Sequence, residues 1–256
     1  MHQIIAYIKF LWRSTNQHGV HSPFVYDLLT KCLYKKEKRE SFSKLKQFRR
    51  KLLNDKQVIS VKDFGAGSRV FKSNKREVSA IAKNAGISAK RAKLLNKLNN
   101  YLEIKEALEL GTSVGLASAA IACGSNANVL TLEGCPETAG VAKQYFEDFQ
   151  LNNITVKVGE FDSLLKDLPQ NKKFDLIYFD GNHQKTPTLE YFHRLLPLAH
   201  NNTVFIFDDI HWSKEMEEAW EEIKSHPAVQ VTIDSFFWGL VFFRKEQEKE
   251  HFTLRL

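Results

Sequence analysis

From Ile104 onward the chain alternates short apolar runs with stretches of helical periodicity, and this alternation constrains the fold more than any other feature. Runs at 107–110, 128–132, 154–158, 174–179 and 203–207 are short and rich in Val, Ile, Leu and Phe, as strands buried on both faces are. Between or after them, segments around Leu116, Ala139, Leu164, Leu189 and Glu217 space their apolar residues as helices do. Such an order predicts a parallel sheet with helices on both faces. The last two runs, 229–233 and 237–244, are joined by a link too short for a crossover helix and so predict an antiparallel pair. The expected fold is α/β, doubly wound, with a mostly parallel seven-stranded sheet, a C-terminal antiparallel pair and a mainly helical region in front. The expected division is a basic lid or substrate region over 1–102 and a cofactor-binding domain over 103–256.

Two glycine loops compete for a nucleotide-like cofactor: DFGAGS at 63–68 and GTSVG at 111–115. A cofactor loop needs a buried strand before it, glycines that let backbone approach the ligand, a helix after it, and an acid ending the next strand. GTSVG has all four: ALEL precedes it, LASAAIA follows, and Glu133 ends the next strand. DFGAGS is followed by the basic, polar SRVFKSNKR, where a buried helix should begin. The second loop is therefore the cofactor loop, and its Gly-x-x-x-Gly spacing lacks the third glycine of a dinucleotide fingerprint.

ELGTSVG, Glu133, the Gly-Glu-Phe-Asp at 159–162, FDLIYFDGNH and the terminal antiparallel pair, in this order and spacing, resemble a class I S-adenosylmethionine-dependent methyltransferase of Rossmann-like fold. The resemblance covers 104–245, and the preceding AKRAKLLNKLNNYL is similar to the lead-in helix of small-molecule O-methyltransferases. It implies that Glu109, Gly111, Thr112, Ser113 and Gly115 surround the methionine part of the cofactor, that Glu133 takes the ribose, and that Glu160, Phe161 and Asp162 take the adenine. Asp180, at the end of the fourth strand, is shared between cofactor and chemistry.

Methyl transfer from a sulfonium is an in-line displacement, so an oxygen acceptor must be positioned and must lose its proton. Asp180, Asp208 and Asp209 end the fourth and fifth strands, and three carboxylates at one sheet edge suit a hard cation such as Mg²⁺. That set resembles the divalent-metal-dependent branch of the O-methyltransferases, although catechol-type members carry Asp-Asn where this chain has Asp208-Asp209. In the alternative the acids orient His183 or His211 as general base. Trp212 and Trp238 are candidate walls of the acceptor pocket, and His18, His21 and Arg69 candidate acceptor contacts from the front half. The fourth strand ends FDGNH, without the Asn/Asp-Pro-Pro-aromatic pattern of amino-group methylation on bases.

The front half carries its own signal. Residues 1–102 hold 23 Lys and Arg against 6 Asp and Glu, whereas 103–256 hold 14 against 24. An acidic partner for the front half is one reading, whether nucleic acid, an anionic small substrate or a membrane surface; neutralisation by the acidic half is the other. The basic front half keeps an RNA methyltransferase as an alternative, and EVSAIAKNAGISAKRAKLLNKLNNYL, with the outline of a helix-turn-helix, keeps a DNA-binding regulator as another. The apolar stretch from Ile4 to Trp12 is too short to span a bilayer and reads as an amphipathic packing helix, with a membrane-surface role as the alternative. Cys32, Cys123 and Cys135 form neither a C-x-x-C pair nor an even framework, which fits a reducing cytoplasm. The function expected from the sequence is a cytoplasmic O-methyltransferase for a small hydroxylated substrate, with oligomeric state, a homodimer included, left open.

Overall fold

The computed structural model describes residues 2–62 and 73–256. The chain packs as two compact units, one over 36–169 and the other combining 1–35 with 170–256.

In the first unit α3 (Glu40–Leu53) is followed by an antiparallel hairpin of β1 (Val58–Ser60) and β2 (Lys75–Glu77), then by α4 (Val78–Asn84) and α5 (Ala89–Tyr101). The DFGAGS turn, Arg69 and Lys72 lie outside the described residues. Next come β3 (Glu106–Leu110), α6 (Leu116–Ala122), β4 (Asn128–Glu133), α7 (Pro136–Asp148), β5 (Ile154–Val158) and α8 (Phe161–Lys166). The strands lie side by side in the order β3, β4, β5, all parallel, as the alternation predicts.

α5 resolves the helix-turn-helix outline. Its Leu94, Leu95, Leu98, Asn96 and Asn99 are all buried. Asn96 donates to the carbonyls of Ala120 and Cys123, and Asn99 to that of Ile121, so two buried amides satisfy backbone at the end of α6 that would otherwise lack partners. A Cβ on Gly86, in the turn before α5, would come within 2.2 Å of the Leu116 side chain. α5 is thus packed on α6 through its leucine and asparagine face, while its Lys90 and Lys93 stay exposed. α3 is likewise more than a charged surface helix, since Leu45, Phe48 and Leu52 are buried.

The second unit begins with α1 (His2–Arg13) and α2 (Pro23–Asp27), which runs into a wider π-helical turn over Leu28–Leu33. Ser22 caps α2 ahead of Pro23, accepting from Val25 N. The unit resumes with β6 (Leu176–Phe179), α9 (Lys185–Leu195), β7 (Val204–Asp208), α10 (Lys214–Ser225), β8 (Val231–Asp234) and β9 (Trp238–Phe242). β6 and β7 are parallel, and β9 runs antiparallel to both β7 and β8. A further strand, β10 (Glu250–Thr253), pairs parallel with β8, which brings the sheet strands to eight rather than seven. Its sequence EHFT sits in a charged segment and carries no apolar run to announce it. Among the described residues no helix is long and apolar enough to cross a membrane.

Candidate functional site

The loop between β3 and α6 is shaped by its backbone. Gly111 (φ 104°), Ser113 (φ 48°) and Gly115 (φ 83°) all adopt positive φ, which folds the chain sharply before α6. A Cβ at Gly115 would also stand 2.5 Å from the Phe146 ring of α7, so packing as well as backbone conformation requires glycine there. The loop is pinned to the neighbouring strand, with Gly111 N and Thr112 N both donating to Leu132 O.

Glu133 ends β4 beside this loop. Its Oε2 accepts from Ser113 N at 2.7 Å and its Oε1 from Cys135 N at 2.9 Å, while its carbonyl accepts from Gly159 N. One residue thus ties together the glycine loop, the start of α7 and the end of β5. Burial raises the pKa of its carboxyl, opposed by the N–H donors of Cys135 and Ser113. The residue is half-buried. The Thr138 hydroxyl and the Gly134 N–H act on the same carboxyl and also favour its charged form.

Beneath the loop Glu109 is fully buried. Its Oε2 accepts from Ser118 and, at 2.6 Å, from Thr131, whose hydroxyl lies 2.6 Å from that of Thr112. Its Oε1 has no partner. Burial pushes its carboxyl up to about 7, against the hydrogen bonds from Ser118 and Thr131 and with the Glu133 charge adding to the rise. The sequence points to Glu109 but not to the hydroxyls that hold it; Thr131, a polar residue inside an apolar strand, is the one signal of them. Glu160 and Asp162 are exposed and Phe161 half-buried at the start of α8, directly after the Gly159 contact.

In the other unit the predicted residues part into two kinds. Asp180 follows β6, with its Oδ1 3.6 Å from Nε2 of His183. The His183 ring lies 6.5 Å from that of Trp212, whose backbone N–H donates to Asp209 O. Asp180, His183 and Trp212 are each half-buried. The buried Asn182 Oδ1 between Asp180 and His183 in sequence has no partner.

His211 is of the other kind. Nδ1 lies 2.8 Å from Glu217 Oε1, Nε2 lies 2.9 Å from Asp234 Oδ2, and the ring stacks on Phe236 at 5.2 Å. Burial lowers its pKa, but the hydrogen bonds and charges of Asp234 and Glu217 outweigh it and the net shift is upward. Two carboxylates on two ring nitrogens specify an imidazolium, which has no lone pair with which to take a proton. The geometry of His211 is that of a structural clamp, not of a base. Trp238 is also structural: it is buried, and its indole N–H donates to the hydroxyl of the equally buried Tyr178 at 3.3 Å.

Among the described residues no group of three or more His, Cys, Asp or Glu side chains is placed to hold a metal ion. Asp208 ends β7 and is buried, and Asp209 turns away at φ 54° with its N–H on Phe237 O. Asp208 is thus a buried strand residue and Asp209 a turn residue, and adjacency in sequence does not make them a shared ligand pair. His18 and His21 are exposed in the loop before α2, His18 with its backbone N–H on Asn16 Oδ1.

Residues 108–210 match a family model described as a methyltransferase domain. No curated protein sequence matches the chain. Among solved structures, an O-methyltransferase from Bacillus cereus in complex with SAH is 20% identical with a TM-score of 0.55, over 86% of this chain and 95% of its own. The O-methyltransferase TomG from Streptomyces achromogenes, in complex with SAM, is 18% identical with a TM-score of 0.57, over 90% and 99%. A SAH-bound methyltransferase from Podospora anserina is 14% identical with a TM-score of 0.62, over 88% and 97%. At these identities the likeness establishes the fold, a Rossmann-like α/β sheet with its antiparallel C-terminal strands.

Proposed function

We propose that the methyltransferase domain carried by residues 108–210, a class I domain whose methyl donor is S-adenosylmethionine, delivers the methyl group to an oxygen of a small hydroxylated acceptor. The observation that carries this reading is Glu133, a half-buried carboxyl at the end of β4 bracketed by the N–H groups of Ser113 and Cys135. The unpartnered Oε1 of the buried Glu109 beneath the same loop supports it, because it is an unfilled hydrogen-bonding position at that loop. The O-methyltransferases among the structural relatives favour oxygen as the acceptor atom.

When bound, the cofactor supplies an electrophilic methyl on a sulfonium sulfur, displaced in line by the acceptor oxygen. In this reading Gly111 to Gly115 bring main chain close to the methionine part, Glu133 holds the ribose hydroxyls, and Glu160, Phe161 and Asp162 flank the adenine. His183 takes the proton that the acceptor oxygen loses, and Asp180 steadies the ring and its new charge. Trp212 lines the acceptor side, with the exposed His18 and His21 as further contacts. Asp180, Asp208 and Asp209 do not form a ligand set that fits Mg²⁺, and no step is routed through a metal. The RNA methyltransferase and DNA-binding alternatives are not favoured by the O-methyltransferases among the structural relatives.

The test is calorimetry with SAH and NAD, followed by transfer of labelled methyl from S-adenosylmethionine to a panel of phenols, catechols and hydroxy acids, with RNA and DNA alongside. The expected result is binding of SAH without NAD, and label in a small hydroxylated acceptor. Label in nucleic acid alone overturns the acceptor assignment, and absence of SAH binding overturns the site.

A further inference from the structure

α1 has two apolar faces, and only one of them is used within its own unit. Ala6 and Phe10 are buried against Phe236, with ring centroids of Phe10 and Phe236 5.6 Å apart and Tyr7 edge-on to Phe236 at 4.8 Å. The helix is also held at both ends: His2 lies 3.6 Å from Glu217, and beyond Arg13 the backbone of Thr15 donates to Thr253 O and accepts from Arg255 N. It is a docked element of the unit rather than a loose tail.

Its opposite face carries Ile4, Ile5, Ile8, Leu11 and Trp12 into solvent, with Ile4 68% and Trp12 90% exposed. Positions 4, 5, 8, 11 and 12 fall on one side of a helix, so these side chains make a continuous stripe rather than scattered exposure. Apolar residues exposed singly need no explanation, but a contiguous patch marks an interaction surface.

The charges beside the stripe identify the occupant. Lys9 borders it, Arg13 follows one turn later at the end of the helix, and no Asp or Glu occurs before Asp27. A two-fold contact with a second copy would set this patch against itself, Lys9 and Arg13 of one helix against those of the other, with no acid on either helix to compensate. An anionic bilayer surface accepts both features at once, the acyl boundary taking the apolar stripe and the headgroups the cations. Trp12 and Tyr7 suit that boundary, where rings with one polar edge concentrate. Twelve residues span about 18 Å, short of a bilayer core, so the helix would lie in the plane of the surface. We propose that α1 docks the protein on anionic phospholipid membranes through Ile4, Ile5, Ile8, Leu11 and Trp12, with Lys9 and Arg13 on the headgroups.

The experiment is co-sedimentation of the full chain with vesicles of phosphatidylcholine alone or with about 30% phosphatidylglycerol. The expected result is binding to the anionic vesicles that weakens at roughly 0.5 M salt. The double variant Ile5→Glu/Ile8→Glu, checked for an unchanged circular dichroism melt, should lower the partition coefficient by roughly tenfold or more. Lys9→Glu/Arg13→Glu should weaken binding to the anionic vesicles alone. Three results would each overturn the proposal: wild-type protein left in the supernatant; equal binding by wild type and the Ile5/Ile8 variant, which would assign the affinity to the basic remainder of the front half; or a dimer dissociated by that variant without vesicle binding, which would assign the face to a second copy.

Discussion

Glu133 and His211 are both half-buried ionisable side chains placed near strand ends, and both are candidates for function on sequence grounds. Glu133 is held by backbone, through Ser113 N and Cys135 N, whereas His211 is held by the side chains of Glu217 and Asp234. The kind of partner separates them. A carboxyl held by N–H and hydroxyl donors stays an acceptor group, but an imidazole with a carboxylate on each nitrogen has no lone pair left to take a proton. His183 falls with Glu133 in this comparison, since 3.6 Å to Asp180 is longer than a hydrogen bond and leaves its ring capacity unspent.

The sharpest way to break the comparison is to exchange the two histidines. His183→Ala should lower kcat by about 10²–10⁴ without weakening SAH binding, as removal of a general base does. His211→Ala should leave kcat within a few-fold while lowering the melting temperature. Single-turnover methyl transfer and calorimetry on both variants decide it, and a reversed pattern would return His211 to the chemistry. Chelator should leave wild-type turnover unchanged; a loss restored by Mg²⁺ would mean that the acids at the ends of β6 and β7 gather around a cation after all.

Next in size is Glu133→Ala, for which SAH affinity should fall roughly 10–100-fold, the range for losing hydrogen bonds to a charged group. Glu133→Gln should fall between the two, because its carbonyl can still accept from one of the two amides. Isothermal calorimetry measures both, and wild-type affinity in the alanine variant would remove the ribose assignment.

These outcomes bear on what the sequence discloses. Strand, loop, helix and acid were legible from Glu106 to Glu133 because each is specified by neighbours within the same β-α-β unit. The site around His211 was not, since the residues that fix its protonation lie 6 and 23 positions away and meet it only through tertiary folding. Trp238 was placed on the right strand but on the wrong side of the choice between pocket and core, because only the structure pairs its N–H with Tyr178. Helical spacing and a glycine turn suggested a DNA reader in α4 and α5; the overlooked signal was Asn96 and Asn99 among the leucines, amides that serve the end of α6. β10 was invisible for the opposite reason, as pairing with β8 rather than apolar pattern makes it a strand.

The buried acid sharpens the comparison from below the loop. Folding raises the Glu109 carboxyl from 4.5 to about 7, so the folded state holds a proton that the unfolded chain releases. The stabilisation is therefore full below about pH 4.5 and is lost as pH rises through about 7, a change of up to about 3 kcal/mol. Glu109→Gln, which imitates the protonated form, should match wild type near the acid end of that window and exceed it at the alkaline end. Urea midpoints across the window measure the difference, and parallel profiles would mean that Glu109 keeps one charge state throughout.

His211 should show the smallest effect, with the same sign but a higher window. Its pKa is raised in the folded state because Asp234 and Glu217 outweigh the cost of burial, so its contribution is fully present below the unfolded value of 6.5 and is lost as pH rises through the folded one. Glu217 is partly open to water, its side chain 34% exposed, which holds the contribution to the order of 1 kcal/mol. In the Glu109→Gln background, where the lower window is silent, thermal melts of the protein with and without His211→Ala should diverge at low pH and converge on the alkaline side. Divergence that grew with pH would mean a neutral His211 in the fold, which would free one ring nitrogen and erase the distinction drawn between it and His183.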